Sequence, residues 1–290
     1  MIPKATAKNP PIGPPSSKHT LTEAFRTGMA LYDLRDKWQR LVAATPEGNG
    51  APVLVVPGLI ETDYTLSRMR DFLREKGYFV HGWRGGLNSG PSDKNLKHLE
   101  ERFLRLSDRH HGRKIAGVGH SLGGIFIREL ARKYPDRFSC AVTLASPFAA
   151  GLHPHATSIH IRTIFRLANG WNHRFFHDED LALMAMTPPP VPTTSIYSRS
   201  DGIVHWKVCI NPAGRKTENV EVDTSHCGML FRPAALLVLA DRLAQTPKIW
   251  TPFDPSCYPE WEFPRQPAHT TYKPDKPHRA FDPGHPGLFG

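Results

Sequence analysis

Four apolar runs without polar alternation recur along the middle of the chain: "APVLVVPG" (51–58), "YFVHGW" (78–83), "RKIAGVGH" (113–120) and "SCAVTLASP" (139–147). A strand with one face in water alternates apolar and polar residues, whereas a strand lacking that alternation is buried on both faces, as in a parallel sheet covered by helices. The segments between the runs have helical spacing. Leu66, Met69, Phe72 and Leu73 share one face, with Gly77 as a stop. "SDKNLKHLEERFLRLSDRH" opens at Ser92 or Asp93, and Pro135 ends the helix that begins "LGGIFIRELARK". "TTSIYSRSD" (193–201) and "ENVEVD" (218–223) read as two further strands and "GMLFRPAALLVLADRLAQ" (228–245) as a closing helix. Strand and helix in alternation mean right-handed crossovers and an α/β class with a mostly parallel central sheet flanked by helices.

Ahead of the first strand, Leu21, Phe25, Met29 and Tyr32, then Leu34, Trp38 and Leu41, follow at steps of three and four. That spacing predicts an amphipathic helix over 20–42, with Thr20 or Thr22 as its cap. After Pro147 the alternation stops and resumes only past Pro188–Pro190, so residues 148–190 read as an insertion between strands, placed to form a cap or lid. Its apolar members are Phe148, Leu152, Ile159, Ile161, Ile164, Phe165, Leu167, Trp171, Phe175 and Phe176. The two ends, 1–19 and 247–290, are proline-rich tails, the second expected to lie extended over the body.

Composition removes several classes. No window approaches the apolar length of a membrane span, and Lys4 and Lys8 precede no continuous apolar segment. A soluble, cytoplasmic protein without a transmembrane segment is the expectation. Four cysteines (Cys140, Cys209, Cys227, Cys257) form no C-x-x-C pair and no disulfide framework. Cys209 and Cys227 follow adjacent strands and are near enough in the fold to pair, but free thiols are expected in that compartment. The net charge of +10 is scattered at helical spacing, as at Arg102–Arg105 and Arg132–Lys133, so no nucleic-acid partner is read from it. His110–His111 and His153-x-His155 lack ligand spacing on a regular element, and no metal is expected.

Parallel sheets gather their functional groups past the carboxyl ends of their strands. Gly119-His120-Ser121-Leu122-Gly123 lies at such an end, between a strand and a helix, and fits G-x-S-x-G. A serine lifted on a sharp turn crowds the residues two before and two after it, which is why Gly119 and Gly123 flank it. The first turn of the following helix then aims the Leu122 N–H at a developing oxyanion. A serine alone is a poor nucleophile and needs a base with an orienting acid. Asp201, in "SRSDGIV", ends one strand, and His226, in "DTSHCGM", follows the last. With 16 histidines in the chain, the presence of one means nothing and its position decides. Asp223 competes with Asp201 but sits awkwardly close to His226. In "VVPGLIETD", the Leu59 N–H is the candidate second oxyanion donor, while Glu61 and Asp63 are expected to cap the following helix.

With "VLVVPGL", "GYFVHGWRGGLNSGP", "GHSLGG", "SRSDGIVHW" and "SHCGM" in place, the chain resembles the α/β-hydrolase superfamily and looks like bacterial lipase-like serine esterases. The resemblance implies an α/β-hydrolase domain over 20–246, Ser121 as nucleophile, His226 as base, Asp201 as its partner, Leu59 and Leu122 as oxyanion donors, and an acyl-enzyme mechanism needing no cofactor. Family lipases carry His-Gly where this chain has Pro57-Gly58. "GWRGGLNSGP" is no dinucleotide fingerprint, because no helix opens from its strand; it reads as a loop beside the oxyanion loop. The expected activity is hydrolysis of a small-molecule or lipid ester. The alternatives are an acyltransferase or thioesterase with the same triad, or a non-catalytic binding protein on a hydrolase scaffold, and a homodimer is left open. Serine at the bend excludes the Asp-nucleophile chemistry of dehalogenases and epoxide hydrolases.

Overall fold

Successive residues of Pro52–Val56 (β1) point to opposite faces, and every one is buried. Val53 and Val55 join the apolar core on one side of the sheet, Leu54 and Val56 the core on the other. In this computed structural model, which describes residues 12–170, 178–246, 249–264 and 287–289, the remaining strands are Phe79–Gly82 (β2), Ile115–His120 (β3), Phe138–Leu144 (β4), Thr193–Tyr197 (β5) and Thr217–Glu221 (β6). They form one six-stranded sheet in the order β2-β1-β3-β4-β5-β6, parallel throughout. The interior strands β3 and β5 are buried at every position, while the edge strand β2 leaves Phe79 exposed. Each run without alternation is a strand of this sheet.

The helices are Ser17–Ala44 (α1), Ser67–Glu75 (α2), Asp93–Arg109 (α3), Leu122–Lys133 (α4), Ile159–Asn169 (α5), Glu179–Met186 (α6) and Pro233–Ala244 (α7). α1, α2 and α7 cover one face of the sheet; α3, α4 and the inserted segment cover the other. Ser92 caps α3 by accepting from the Asn95 N–H. Thr20 and Thr22 do not cap α1, which begins at Ser17. Their hydroxyls donate instead to the carbonyls of Gly202 and Lys18. The helical period of α1 is as expected, but its facing differs. Ala30, Leu34 and Leu41 are buried, whereas Leu21, Phe25, Met29 and Tyr32 form an exposed stripe at 86%, 71%, 54% and 70%. A helix with two apolar stripes buries the one its neighbours can reach, and period alone does not select it.

Residues 148–190 hold α5 and α6. Phe148 and Phe165 are buried, Leu152, Ile161 and Ile164 pack against the core, and Ile159 and Leu167 face outward; Trp171, Phe175 and Phe176 lie outside the described residues. α4 holds α6 by its carboxyl end. The fully buried Arg128 donates to the carbonyls of Ala185 and Met186 and to Asn211 Oδ1, and Arg132 donates to those of Met184 and Thr187. The C-terminal segment lies on the body where it is described: Phe253, Tyr258, Trp261 and Phe263 pack on one face, and Leu288 and Phe289 are buried on the other. The rest of that tail, and residues 1–11, lie outside the described residues.

Candidate active site

The chain runs from β1 to its neighbour β2 on one side, then crosses back past β1 to β3 on the other, so the strand order reverses direction at β1. The carboxyl ends of β1 and β3 therefore flank the crevice where open parallel sheets bind ligands. Backbone strain gathers there. Ile60, Arg84, Ser121 and Ala145 follow β1, β2, β3 and β4, and all have positive φ (57°, 59°, 49° and 50°), a region non-glycine residues seldom enter. For the β-branched Ile60 the cost is greatest.

Ser121, at ψ −121°, is the bend between β3 and α4. A Cβ on Gly119 would stand 2.4 Å from the Gly123 carbonyl group, and a Cβ on Gly123 2.3 Å from the Val56 carbonyl oxygen. Neither position admits a side chain, so α4 can press its first turn against both β3 and β1. Leu122 is then the first helical residue, where the N–H has no carbonyl within its own helix to bond.

His226 Nδ1 lies 2.7 Å from Asp201 Oδ2, with both side chains buried. The other carboxylate oxygen, Oδ1, accepts the N–H groups of Ile203 and Val204 at 2.8 Å each. Both oxygens being acceptors, the imidazole carries its proton on Nδ1 and leaves the Nε2 lone pair available. Burial pushes the His226 ring down, but the Asp201 carboxylate, with Glu23 and Glu61 beyond it, outweighs this and holds the ring above its ordinary value. Asp223 is engaged elsewhere and accepts the Ser200 hydroxyl. Among the described residues Asp201 is the only hydrogen-bond partner of the His226 ring, so the Ser121–His226 bond is not made here. Such contacts are often long before substrate binds.

The loop after β1 runs beside the serine, since a Cβ on Gly58 would stand 3.0 Å from Ser121 Cβ. Its amides at Gly58, Ile60 and Glu61 are paired with Glu61 Oε2, the Asn88 carbonyl and the Gly58 carbonyl. The Leu59 N–H has no partner among the described residues. Asn88, in "GWRGGLNSGP", holds this loop in shape. It is fully buried; its Nδ2 donates to the Pro57 carbonyl at 2.8 Å, its N–H to the Glu61 carbonyl, and its Oδ1 accepts from the Gly90 N–H. Asn88→Ala strands the Pro57 carbonyl and the Gly90 N–H, and a loss of about 1–3 kcal/mol is expected, read as a lowered urea midpoint at unchanged slope.

Glu61 and Asp63 do not cap α2. Asp63 accepts the N–H groups of Trp83 and Arg84, tying the loop after β1 to the end of β2. Glu61 pairs with His120 Nδ1 at 2.9 Å, and His120 Nε2 lies 3.1 Å from the His226 carbonyl oxygen. Burial works to raise the Glu61 carboxyl, but His120 and the Gly58 N–H hold it below the usual carboxylate range. His120 thus faces an oxygen at each ring nitrogen, the Glu61 carboxylate at Nδ1 and the His226 carbonyl at Nε2. Sequence position marks His120 as part of the bend; its partner across the crevice leaves no local signal. Cys209 and Cys227 are both free thiols, and burial, with Glu23, Glu61 and Asp201 adding, pushes Cys227 up to about 12. Among the described residues no group of three or more His, Cys, Asp or Glu is arranged to hold a metal, and no helix is long and apolar enough to cross a membrane.

Residues 51–176, from the head of β1 through the serine bend into the insertion, match the family described as alpha/beta hydrolase fold. The chain has the α/β-hydrolase fold. Within this fold it is 30% identical over 121 residues to a candidate non-heme haloperoxidase of Mycobacterium phage D29, covering 39% of this chain and 42% of that protein. It is 29% identical over 134 residues to an epoxide hydrolase of Caballeronia sordidicola, covering 44% and 40%. The chain thus spans about two fifths of the length of these curated relatives. An alpha/beta hydrolase enzyme from the sediment metagenome of the Mar Chica lagoon, Morocco, is similar in structure, with a TM-score of 0.44 and 16% identity over 67% of this chain and 90% of that one.

Proposed function

We propose that this α/β-hydrolase-fold protein is a serine carboxylic-ester hydrolase of the lipase-like kind. The observation that carries the reading is the buried 2.7 Å hydrogen bond from His226 Nδ1 to Asp201 on the rim where Ser121 is lifted on a strained bend. Ser121 Oγ attacks the ester carbonyl while His226 Nε2 accepts its proton, and the N–H groups of Leu59 and Leu122 receive the negative charge formed on the carbonyl oxygen. His226 returns the proton to the leaving alcohol, giving an acyl-enzyme. Water, deprotonated by the same nitrogen, then releases the acid. Asp201 holds the ring and stabilises its charged form.

Exposed Ile60 and Leu87, on loops joined through Asn88, supply an apolar rim for the acyl part of a small-molecule or lipid ester. The family relative named an epoxide hydrolase does not move the reading to epoxide opening, because a hydroxyl and not a carboxylate stands at position 121. Acyl transfer and thioester hydrolysis use the same groups. Products formed from a p-nitrophenyl ester in the presence of competing alcohols decide between water and alcohol as acceptor.

The test is a fluorophosphonate probe followed by peptide mass analysis, together with rates on p-nitrophenyl esters of increasing acyl length. Stoichiometric adduct on Ser121 and ester turnover are expected; a folded sample that neither labels nor turns over refutes the reading. The acid limb is a further expectation. Only neutral His226 can accept the serine proton, and its ring is held above the ordinary 6.5. kcat/KM on a short ester should therefore fall as pH drops, with its acid-side midpoint above pH 6.5.

A further inference from the structure

α1 lies outside the matched family region, yet it meets the site at both of its acidic and basic members. Glu23, one turn and a half into the helix, is 9% exposed. Its Oε1 accepts the N–H of Cys227 at 2.9 Å and its Oε2 the N–H of Gly202 at 3.2 Å. Cys227 is the residue after His226, and Gly202 the residue after Asp201. One carboxylate thus bridges the two loops whose side chains must meet. Neighbouring residues of α1 reinforce the grip: Thr20 donates to the Gly202 carbonyl at 2.7 Å, Arg26 to the Ser200 carbonyl, and the Thr27 hydroxyl lies 2.9 Å from that of Ser225. The helix backbone is so close to Gly202 that a Cβ there would stand 2.4 Å from the His19 carbonyl oxygen.

Resting on the esterase reading above, we propose that α1 is a working part of the site and Glu23 a positioning residue, which clamps the Asp201 and His226 loops together so that the imidazole is aimed at Ser121. A solvated surface carboxylate would not be buried, and a helix that merely covered the core would not bond the main chain beside both members of the dyad. A glutamine cannot replace Glu23 fully. It has one acceptor oxygen for two N–H donors, and its NH2 would face the other donor. Displacements on the order of an ångström in such a dyad cost about 10²-fold in rate.

The clamp also sets the electrostatics of the base. The groups facing His226 are Asp201 from the loop after β5, Glu61 and His120 from the ends of β1 and β3, the adjacent Cys227 thiol, and Glu23 of α1. Removing the Glu23 charge takes away one anion that favours the imidazolium. The ring then gives up its proton at lower pH, and the acid limb of kcat/KM moves to lower pH.

The experiment uses the full chain and its Glu23→Gln and Glu23→Asp variants, with concentrations set by fluorophosphonate titration and with the His226 titration followed by NMR of labelled imidazole. For Glu23→Gln, kcat on a short p-nitrophenyl ester should fall about 10–100-fold with KM within about twofold, and both the acid limb and the NMR titration should shift to lower pH. Glu23→Asp keeps the charge on a shorter arm, so its His226 titration should stay near that of the parent while kcat still falls. If Glu23→Gln does not fold, the Asp variant carries the test. Folded variants with the parent's kcat and the parent's His226 titration overturn the clamp. A parent chain that fails to label on Ser121 overturns the esterase reading instead, and the substrate-free NMR titration still judges the clamp.

Discussion

The Ser121→Ala chain should hydrolyse a short ester with kcat lowered by on the order of 10⁴–10⁶-fold, while melting at the parent's temperature. Both halves of this result follow from the bend. Alanine shares the backbone preferences of serine closely enough that the positive φ at 121 costs much the same in either chain, and the Oγ makes no hydrogen bond among the described residues that stability would miss. On the esterase reading proposed above, the substitution removes the atom that forms the acyl-enzyme. On the same reading, His226 and the proposed oxyanion donors would still polarise a bound carbonyl and orient water, which is why a residue of catalysis above the background should survive. Steady-state rates, with a circular-dichroism melt on the same sample, check the expectation. A variant that keeps a tenth or more of the parent's kcat would move the nucleophile elsewhere.

Asp201→Asn should lower kcat by about 10⁴-fold with little change in KM. In the parent, Oδ1 receives two main-chain N–H groups and Oδ2 receives His226 Nδ1. Asparagine has one oxygen to give. If the oxygen stays with Ile203 and Val204, the NH2 points at Nδ1 and forces the imidazole into the other tautomer, with its proton on Nε2, where no proton can be accepted from serine. If the amide turns over, the NH2 meets two N–H donors in a buried site, and the loop must open. Nitrogen NMR of the imidazole separates the two outcomes, and an unaltered Nδ1–H tautomer with unaltered kcat would remove Asp201 from the mechanism.

How much of the molecule is legible in its sequence depends on range. β1, β3 and β5 stand out because burial on both faces leaves no polar alternation, and the bend at Ser121 because glycines at 119 and 123 have a steric cause that acts within a few residues. Asp201 and His226 are legible through sheet topology, which directs attention to the residues just past the carboxyl end of each strand. The groups that hold them are not. Glu23 and Gly202 are 179 residues apart, Glu61 and His120 are 59 apart, and a hydrogen bond between distant segments imposes no period on either. Glu61 resembles a helix cap because it opens the amphipathic segment in sequence, but α2 begins only at Ser67, and only the fold brings His120 opposite Glu61. The outward stripe of α1 shows the complementary failure: Leu21, Phe25, Met29 and Tyr32 have the right spacing and the larger side chains, but the helix turns Ala30, Leu34 and Leu41 toward its neighbours.

The strand order also dictates a schedule for synthesis. β1 emerges early but is an interior strand, next to the edge strand β2, so its other edge stays open until Ile115–His120 has been made, and each later strand adds to a new open edge in turn. Until Pro233–Ala244 arrives, the apolar side that this last helix covers faces water. A nascent chain stalled before that point presents unpaired strand and bare core together, the form most prone to aggregate, so the chain's dependence on chaperones should be concentrated in the interval between β3 and α7.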